Sequence, residues 1–169
     1  GTASVKSAFE HIFAGEGLHA AIIEGDSYHR FDRAAMAREV EKAALHGNTL
    51  THFGPDGNLF DELESLFRDY AETGTGKRRH YVHTDEEAQV LGAEPGTFTP
   101  WKPLSRDTDL LFYEGLHGGL EIDENDIARL VDLLIGVVPI INLEWIQKIH
   151  RDRAVRGYSA ETATAMILR

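Results

Sequence analysis

Two short apolar runs, each ending in acidic residues and glycine, constrain the fold of this chain more than any other feature. The first covers residues 18–23 and leads into a polar stretch that contains Asp26, and the second covers residues 109–115 and carries Glu114 near its end. Such runs are typical of interior parallel strands with polar residues at their carboxyl ends. Helical patterns separate the runs, which indicates an α/β fold. We therefore predict a mostly parallel sheet flanked by helices.

Hydrophobic periodicity predicts the helices around these strands. Val5, Phe9 and Phe13 repeat at helical spacing, so a helix is expected at the start of the chain. A β-branched run at residues 134–141 predicts a third buried strand. Because the chain has 169 residues, 42% hydrophobic content and no internal repeat, we predict a single domain over residues 1–169. The other predicted helices cover residues 33–45, 59–71 with Asn58 as N-cap, a brief segment capped by Thr84, 126–133, and 143–156 with Asn142 as N-cap and Gly157 as end cap.

Composition argues against several functional classes. The formal net charge of −11 disfavours nucleic acid as a partner, because binding to a phosphate backbone requires a basic surface. No run of about 18 apolar residues and no signal-peptide pattern occurs, so we expect a cytoplasmic protein that does not insert into a membrane. The absence of cysteine excludes disulfides, thiolate metal sites and thiol redox control.

The acids at the predicted strand ends are the first candidate functional residues. Open α/β sheets bind ligands beyond the carboxyl ends of their strands, so Asp26 and Glu114 are expected to approach one crevice. Two carboxylates in such a crevice favour magnesium and phosphate chemistry. The alternative is that each is an ordinary exposed loop acid.

A group of basic residues on the predicted helix 143–156 is the second candidate. Guanidinium groups match phosphate through paired hydrogen bonds, so positive charge gathered in an acidic chain predicts a phosphate site. Asp152 lies within the group. The alternative is a solvated, charged helix end. The basic residues are Lys148, His150, Arg151, Arg153 and Arg156.

Several segments together resemble the bacterial-type phosphoribulokinases. The longest are residues 24–31, 111–118 and 142–153, and the likeness extends over residues 1–169. Because independent segments match in the same order and spacing, the resemblance is more specific than any single motif. The shorter matching pieces are residues 72–76, 81–83 and 156–158.

The resemblance implies a nucleoside-monophosphate-kinase-like P-loop fold and a kinase reaction. In that reaction, ATP with Mg²⁺ gives its γ-phosphoryl group to ribulose 5-phosphate, and the product is ribulose 1,5-bisphosphate, a step of carbon fixation in the Calvin cycle. It also implies that the full-length protein forms a homo-oligomer.

The resemblance assigns roles to individual residues. Asp26 matches the general base that takes the proton from the sugar hydroxyl. Asp152 matches a second catalytic acid that acts through the metal, and Glu114 matches the acid that serves the magnesium-nucleotide. Catalysis of phosphoryl transfer rests mainly on positioning and charge neutralisation, which nearby cations would supply. The positions that match contacts to the sugar phosphate or the transferred phosphate are His29, Arg33, His83, Lys148, Arg151 and Arg156.

The nucleotide end departs from the family pattern. Family members begin with a strand and a glycine-rich phosphate loop, and Gly1 matches the last glycine of that loop. We therefore interpret the chain as a kinase domain truncated at both ends, in a P-loop fold that lacks its first strand. Ala3 stands where a serine hydroxyl normally reaches magnesium, and Ser4 is the nearest substitute. Gly1, Thr2 and Ser4 are the predicted nucleotide-binding residues.

Two other functions remain open at this point. One is a related small-molecule kinase, such as a uridine kinase, that accepts a different hydroxyl on the same sheet. The other is a non-catalytic module in which the same fold binds a sugar phosphate or assembles with a partner subunit.

Overall fold

The computed structural model describes residues 2–122, 124–138 and 140–167. The chain divides into two compact units, which hold residues 2–134 and the residues from 135 onward. No helix in the described part of the chain is long and apolar enough to cross a membrane.

Regular structure begins and ends close to many of the predicted boundaries. The helices Arg33–Leu45 and Asp85–Leu91 start after side-chain caps. Asp32 accepts a hydrogen bond from the Ala35 N–H at 2.7 Å, and Thr84 accepts one from the Glu87 N–H at 3.3 Å. The helices are α1 Thr2–Glu16, α2 Arg33–Leu45, α3 Phe60–Thr73, α4 Asp85–Leu91, α5 Ile141–Arg156 and α6 Ala160–Ile167. The strands are β1 Ala20–Glu24, β2 Lys77–Arg78, β3 Lys102–Pro103, β4 Leu110–Glu114, β5 Glu121–Ile122 and β6 Asn125–Asp126.

The apolar runs near residues 18–23 and 109–115 form a parallel pair of strands. Strands β1 and β4 lie side by side, with Ala20 opposite Leu110 and Glu24 opposite Glu114. The remaining strands of the described residues form two short antiparallel pairs, β2 with β3 and β5 with β6. The prediction of an α/β fold is confirmed, but the parallel sheet is smaller than we expected.

The core of the first unit lies between the parallel strands and one face of α3. Leu63, Leu66 and Phe67 of this helix are buried against β1, where Ala21 and Ile23 face them. Each fully buried side chain of this size stabilises the fold by about 1.5–3 kcal/mol. On the other side of the sheet, the aromatic rings of α1 pack on Phe112 of β4.

The predicted cap of α3 is wrong. The helix begins at Phe60 with Leu59 at the cap position, and no side chain caps it. Asn58 is instead 2% exposed, and its side-chain amide donates to the backbone oxygens of His52 and Gly54. Since these bonds occupy both N–H groups of the amide, Asn58 closes the preceding loop and not the helix end.

Residues 126–141 also differ from expectation. The predicted helix is reduced to a 3₁₀ turn at Ala128–Leu130, and the predicted strand 134–141 is absent from its described residues. No strand of the described chain lies beside this run, so its backbone has no ladder to join. The run is also not buried as predicted. Its exposed apolar side chains include Leu134, Ile135, Val137, Val138 and Ile140, and Leu133 directly before the run is exposed as well.

In the second unit, α5 begins at Ile141 with Ile140 at the cap position, so Asn142 is not its N-cap. Gly157 ends the helix as predicted, with a φ of +67° and its N–H bonded to the oxygen of Asp152. Of its apolar side chains, Trp145 and Ile149 are half-buried, but Ile146 is 53% exposed.

Candidate active site at the ends of the parallel strands

The two parallel strands end side by side, and a glycine follows each of them. A Cβ atom on Gly25 would lie 2.9 Å from the Cα of Gly115, and one on Gly115 would lie 2.8 Å from the Cα of Gly25. Both hypothetical atoms would also meet the Tyr113 hydroxyl at 2.6 Å. Only glycines allow this close approach, which brings the turn with Asp26 next to the end of the strand with Glu114.

Tyr113 fills the space between the two strand ends. Its hydroxyl is buried and has no hydrogen-bond partner in the part of the chain that the structure describes. Burial raises the pKa of Tyr113, and the negative charges of Asp26 and Glu114 act in the same direction, whereas the nearby backbone N–H of His117, too poorly aligned for a hydrogen bond of normal geometry, acts against them. The hydroxyl therefore stays protonated and sits within the electrostatic reach of both carboxylates.

The two acids at the strand tips differ in their surroundings. Glu24 pairs with Lys6 of α1 and is thereby neutralised. Glu114 makes no hydrogen bond or ion pair with another described residue, so its oxygens are available to a ligand.

A single 3₁₀ turn, Gly25–Tyr28, presents Asp26 to solvent, with 51% of the side chain exposed. Arg79 holds this turn, because its guanidinium donates to the oxygens of Ser27 at 2.8 Å and His29 at 2.6 Å. The same guanidinium stacks 3.7 Å above the ring of Phe98. Arg79 thus fixes the turn on which the predicted base stands.

Each carboxylate oxygen of Asp26 faces an imidazole. Nε2 of His29 lies 3.3 Å from Oδ1, and Nε2 of His83 lies 3.6 Å from Oδ2. The hydrogen bond from His29 lowers the pKa of Asp26 and, with the positive potential of His29, His83 and His52, outweighs the effect of burial. Asp26 is therefore ionised at neutral pH.

His29 is the more buried of the two imidazoles. Its Nδ1 lies 2.8 Å from Oδ1 of Asn58, and its ring centroid lies 4.8 Å from that of His52. Burial alone would lower the pKa of His29, but the hydrogen bonds to Asp26 and Asn58 together raise it.

Arg33 brings a guanidinium toward the same group of residues. It begins α2, where its N–H donates to the oxygen of Gly96 at 2.9 Å, and its Nη2 donates to the oxygen of His83 at 3.4 Å. Asp26, His29, His83 and Arg33, four of the predicted site residues, thus converge within the first unit.

The second unit carries the predicted cations of α5. Asp152 is fully buried, with Nζ of Lys148 3.0 Å from Oδ2 and Nε of Arg151 3.4 Å from Oδ1. Two cations of the basic group, Lys148 and Arg151, are therefore already paired with a carboxylate of the same helix. The side chain of Arg156 lies outside the described residues. Asp26 and Glu114 belong to the first unit and Asp152 to the second. The sequence and the resemblance together predict that the three carboxylates surround one pocket, and this stays a prediction.

Of the three predicted nucleotide-binding residues, the structure describes the side chain of Ser4 alone. Gly1 lies outside the described residues, as do the side chains of Thr2 and Ala3. Ser4 is exposed in the first turn of α1. Within the described residues, no group of three or more His, Asp or Glu side chains is arranged to hold a metal. Magnesium in kinases usually takes one or two carboxylates together with substrate phosphates, so this does not decide its presence.

Sequence reasoning missed several residues that shape the site. The sequence indicates a helix cap at Asn58, and Arg79 belongs to a basic run with no distinguishing pattern. No pattern distinguishes His52, and the signal at Tyr113 is its position directly before Glu114 at a strand end.

Comparison with known proteins gives a consistent result. A family described as "Phosphoribulokinase / Uridine kinase family" matches residues 1–169. A chromosomal phosphoribulokinase of Cupriavidus necator is 59% identical over the whole chain, and a probable phosphoribulokinase of Escherichia coli K12 is 50% identical. The chain spans about 58% of the length of each of these relatives.

A solved structure gives the same result for the fold. The phosphoribulokinase from Rhodobacter spheroides superposes with a TM-score of 0.86 at 51% identity, covering 99% of this chain and 58% of that one.

Proposed function

Because the chain belongs to the phosphoribulokinase and uridine kinase family, we propose that it carries the acceptor site of a phosphoribulokinase. The reaction transfers the γ-phosphoryl group of ATP to ribulose 5-phosphate and gives ribulose 1,5-bisphosphate and ADP. The observation that carries this proposal is the 59% identity to a phosphoribulokinase along all of the chain. The ionised Asp26 between two imidazoles is the geometry that supports it.

Asp26 is the proposed general base. It accepts the proton of the sugar hydroxyl as that oxygen attacks the γ-phosphorus, and the bond to the β-phosphate oxygen breaks. A positioned base contributes about 10²–10⁴-fold to such a step. The 51% exposure of Asp26 leaves room for a substrate hydroxyl, and its lowered pKa keeps it ionised at neutral pH.

The basic side chains around Asp26 are proposed to bind the sugar phosphate and the transferred phosphate. His29, Arg33 and His83 belong to the first unit, where the guanidinium of Arg33 and the ring N–H groups of the histidines would stabilise the charge that spreads over the moving phosphoryl group. On the second unit the proposed contacts are Lys148, Arg151 and Arg156.

Mg²⁺ is proposed to accompany ATP, with Glu114 and Asp152 as protein ligands. Glu114 fits this role, because its carboxylate makes no other bond within the described residues. Asp152 is buried and held by Lys148 and Arg151, so as described it fits better as the residue that orients these two cations. The ion would neutralise charge on the nucleotide phosphates.

For the nucleotide, we propose Gly1, Thr2 and Ser4, of which Thr2 and Ser4 belong to the first turn of α1. Unpaired N–H groups at a helix N-terminus favour phosphate. We further propose that the two units form one kinase domain of a homo-oligomeric, cytoplasmic enzyme of carbon fixation. Binding of nucleic acid or membrane is not expected.

The family also includes uridine kinases, so the acceptor must be tested directly. The intact protein would be assayed for ADP release with ATP and Mg²⁺ against ribulose 5-phosphate, ribulose and uridine. We expect turnover with the phosphorylated sugar alone. Turnover with uridine would favour the uridine-kinase alternative, and tight binding of ribulose 5-phosphate without ADP release would favour the binding module.

Asp26→Asn is the variant that tests the base. We expect kcat to fall by about 10²–10⁴-fold while the affinity for ribulose 5-phosphate stays nearly unchanged. The matched control is Asp107→Asn, since Asp107 is exposed on the loop before β4 and its carboxylate has no partner among the described residues. Near-normal turnover of Asp26→Asn would remove Asp26 from the role.

A further inference from the structure

The orientation of the buried Asn58 side chain is fixed by its own hydrogen bonds. Its Nδ2 lies 2.9 Å from the backbone oxygen of His52 and 2.8 Å from that of Gly54. If the amide were turned over, its oxygen would face these two oxygens without any proton between them. The nitrogen must therefore point to the loop, and Oδ1 must point to His29.

This orientation determines which nitrogen of His29 carries a proton. Oδ1 of Asn58 has no proton to give, and it lies 2.8 Å from Nδ1 of His29. Nδ1 must therefore be the donor. A neutral imidazole carries only one N–H, so a neutral His29 would present the lone pair of Nε2 to Asp26.

The other nitrogen faces a second acceptor. Nε2 of His29 lies 3.3 Å from Oδ1 of Asp26, and that carboxylate is ionised. A lone pair opposite a carboxylate oxygen is repulsive, and a proton on Nε2 turns the contact into a charge-assisted hydrogen bond. With Nδ1 already protonated, the proton on Nε2 makes His29 an imidazolium.

We propose that Asn58 is a positioning residue for the acceptor site, which holds the proton on Nδ1 of His29 and so makes this histidine the cationic partner of Asp26. The inference rests on the proposed function of Asp26 as base. Asn58 touches no substrate in this role and acts only through His29. The raised pKa of His29 and the lowered pKa of Asp26 agree with this arrangement in direction.

Other charged groups also act on His29 and Asp26. The guanidinium of Arg79 holds the His29 backbone and opposes a charge on its ring. The ring of His52 stacks beside His29, and His83 faces the second oxygen of Asp26. His117 is close enough for a charged His29 to lower its pKa, although burial is the larger cause. Asp26 is therefore the anion that favours the imidazolium against the opposing charge of Arg79.

The direct test is the ¹⁵N NMR spectrum of the histidine side chains in the unmodified chain. His29 is assigned from the signals that disappear in His29→Gln. We expect both ring nitrogens to be protonated near neutral pH, and only Nδ1 to keep its proton at alkaline pH. A neutral form protonated at Nε2 would overturn the proposal. Because this measurement needs no turnover, it is independent of whether ribulose 5-phosphate is the substrate.

Two variants separate the effect on His29 from the closing of the loop. Asn58→Ala and Asn58→Asp both remove the N–H groups that bind the loop, but only Asn58→Asp keeps an acceptor for Nδ1. In the intact protein, we expect Asn58→Ala to lower kcat/KM by about tenfold at pH 8 and less at pH 6, where His29 is protonated in any case. Asn58→Asp should recover part of this loss at pH 8, because it keeps the acceptor for Nδ1 but turns a carboxylate oxygen toward the backbone oxygens of His52 and Gly54.

The pattern across pH distinguishes positioning from a structural role. If both variants lost activity equally, and by the same factor at pH 6 and pH 8, Asn58 would only anchor the loop and the proposal would fail. If the activity is absent with every acceptor, the NMR result still decides the proton on His29.

Discussion

The substitution Gly25→Ala adds a single methyl group, and we expect it to destabilise the first unit by separating the two strand ends. The added Cβ would lie 2.6 Å from the Tyr113 hydroxyl and 2.9 Å from the Cα of Gly115. The hydroxyl can move, but the second contact is backbone of the neighbouring strand end. The strands must therefore separate at their carboxyl ends, and overpacking of this kind costs about 1–3 kcal/mol.

The free energy of unfolding of Gly25→Ala would be measured by urea titration in a Trp145→Phe background. Of the two tryptophans, Trp101 then remains as the fluorescent probe, and it packs against the core of the first unit. We expect the midpoint to fall by an amount that corresponds to about 1–3 kcal/mol. Gly15→Ala is the matched control, since Gly15 lies in α1 with no atom within 4 Å of the added Cβ, and it should stabilise by about 0.5–1 kcal/mol.

The double variant Gly25→Ala/Tyr113→Phe shows how much of the lost stability comes from the contact with the Tyr113 hydroxyl and how much from the contact with the Gly115 Cα. Removal of the hydroxyl relieves the contact at 2.6 Å and leaves the one at 2.9 Å, so the rescue should be partial. An unfolding midpoint of Gly25→Ala equal to that of the parent would refute the argument that the two strand ends need glycines.

Two further predictions concern buried polar groups. Tyr113→Phe alone should leave the free energy of unfolding unchanged or slightly higher in urea titration, because the buried hydroxyl has no partner in the described chain; a loss above about 1 kcal/mol would show that it has one. Glu64→Gln should destabilise the first unit at pH 7 and much less at pH 3, because the hydrogen bond from Asn125 lowers the pKa of Glu64. The stability that this carboxylate contributes is complete above its ordinary pKa of 4.5 and disappears as the pH falls through its lowered value, so equal losses at both pH values would contradict the assignment.

Local patterns were sufficient for the parallel strands and most helices, because periodicity and caps act within a few residues. Asp32 and Thr84 cap their helices through bonds to residues three positions away. Two apolar runs predicted strands of a parallel sheet, and the structure shows that these strands, β1 and β4, are direct neighbours. These features placed Asp26 and Glu114 at one edge of the sheet.

The same patterns failed where the outcome depends on distant partners. Residues 134–138 have the composition of a buried strand, yet no described strand lies beside them and several side chains are exposed. Asn58 had the right type and position for a helix cap, but loop carbonyls and His29 took its hydrogen bonds. Arg79 reaches backbone 50 and 52 residues earlier in the chain. Nothing in the local sequence specifies such contacts.

The surroundings of Asp26 determine how much of the rate enhancement would come from the base and how much from neutralisation of phosphate charge. A base assists most when its pKa lies near the working pH, and the hydrogen bond from His29 lowers the pKa of Asp26. Asp26 is therefore ionised at neutral pH, but it is a weak base. Neutralisation of phosphate charge by His29, Arg33 and the cations of α5 must therefore contribute a larger share, as phosphoryl transfer permits. On this reasoning, the loss in Asp26→Asn should fall toward the lower end of the range, about 10², and loss of the Arg33 guanidinium should rival it.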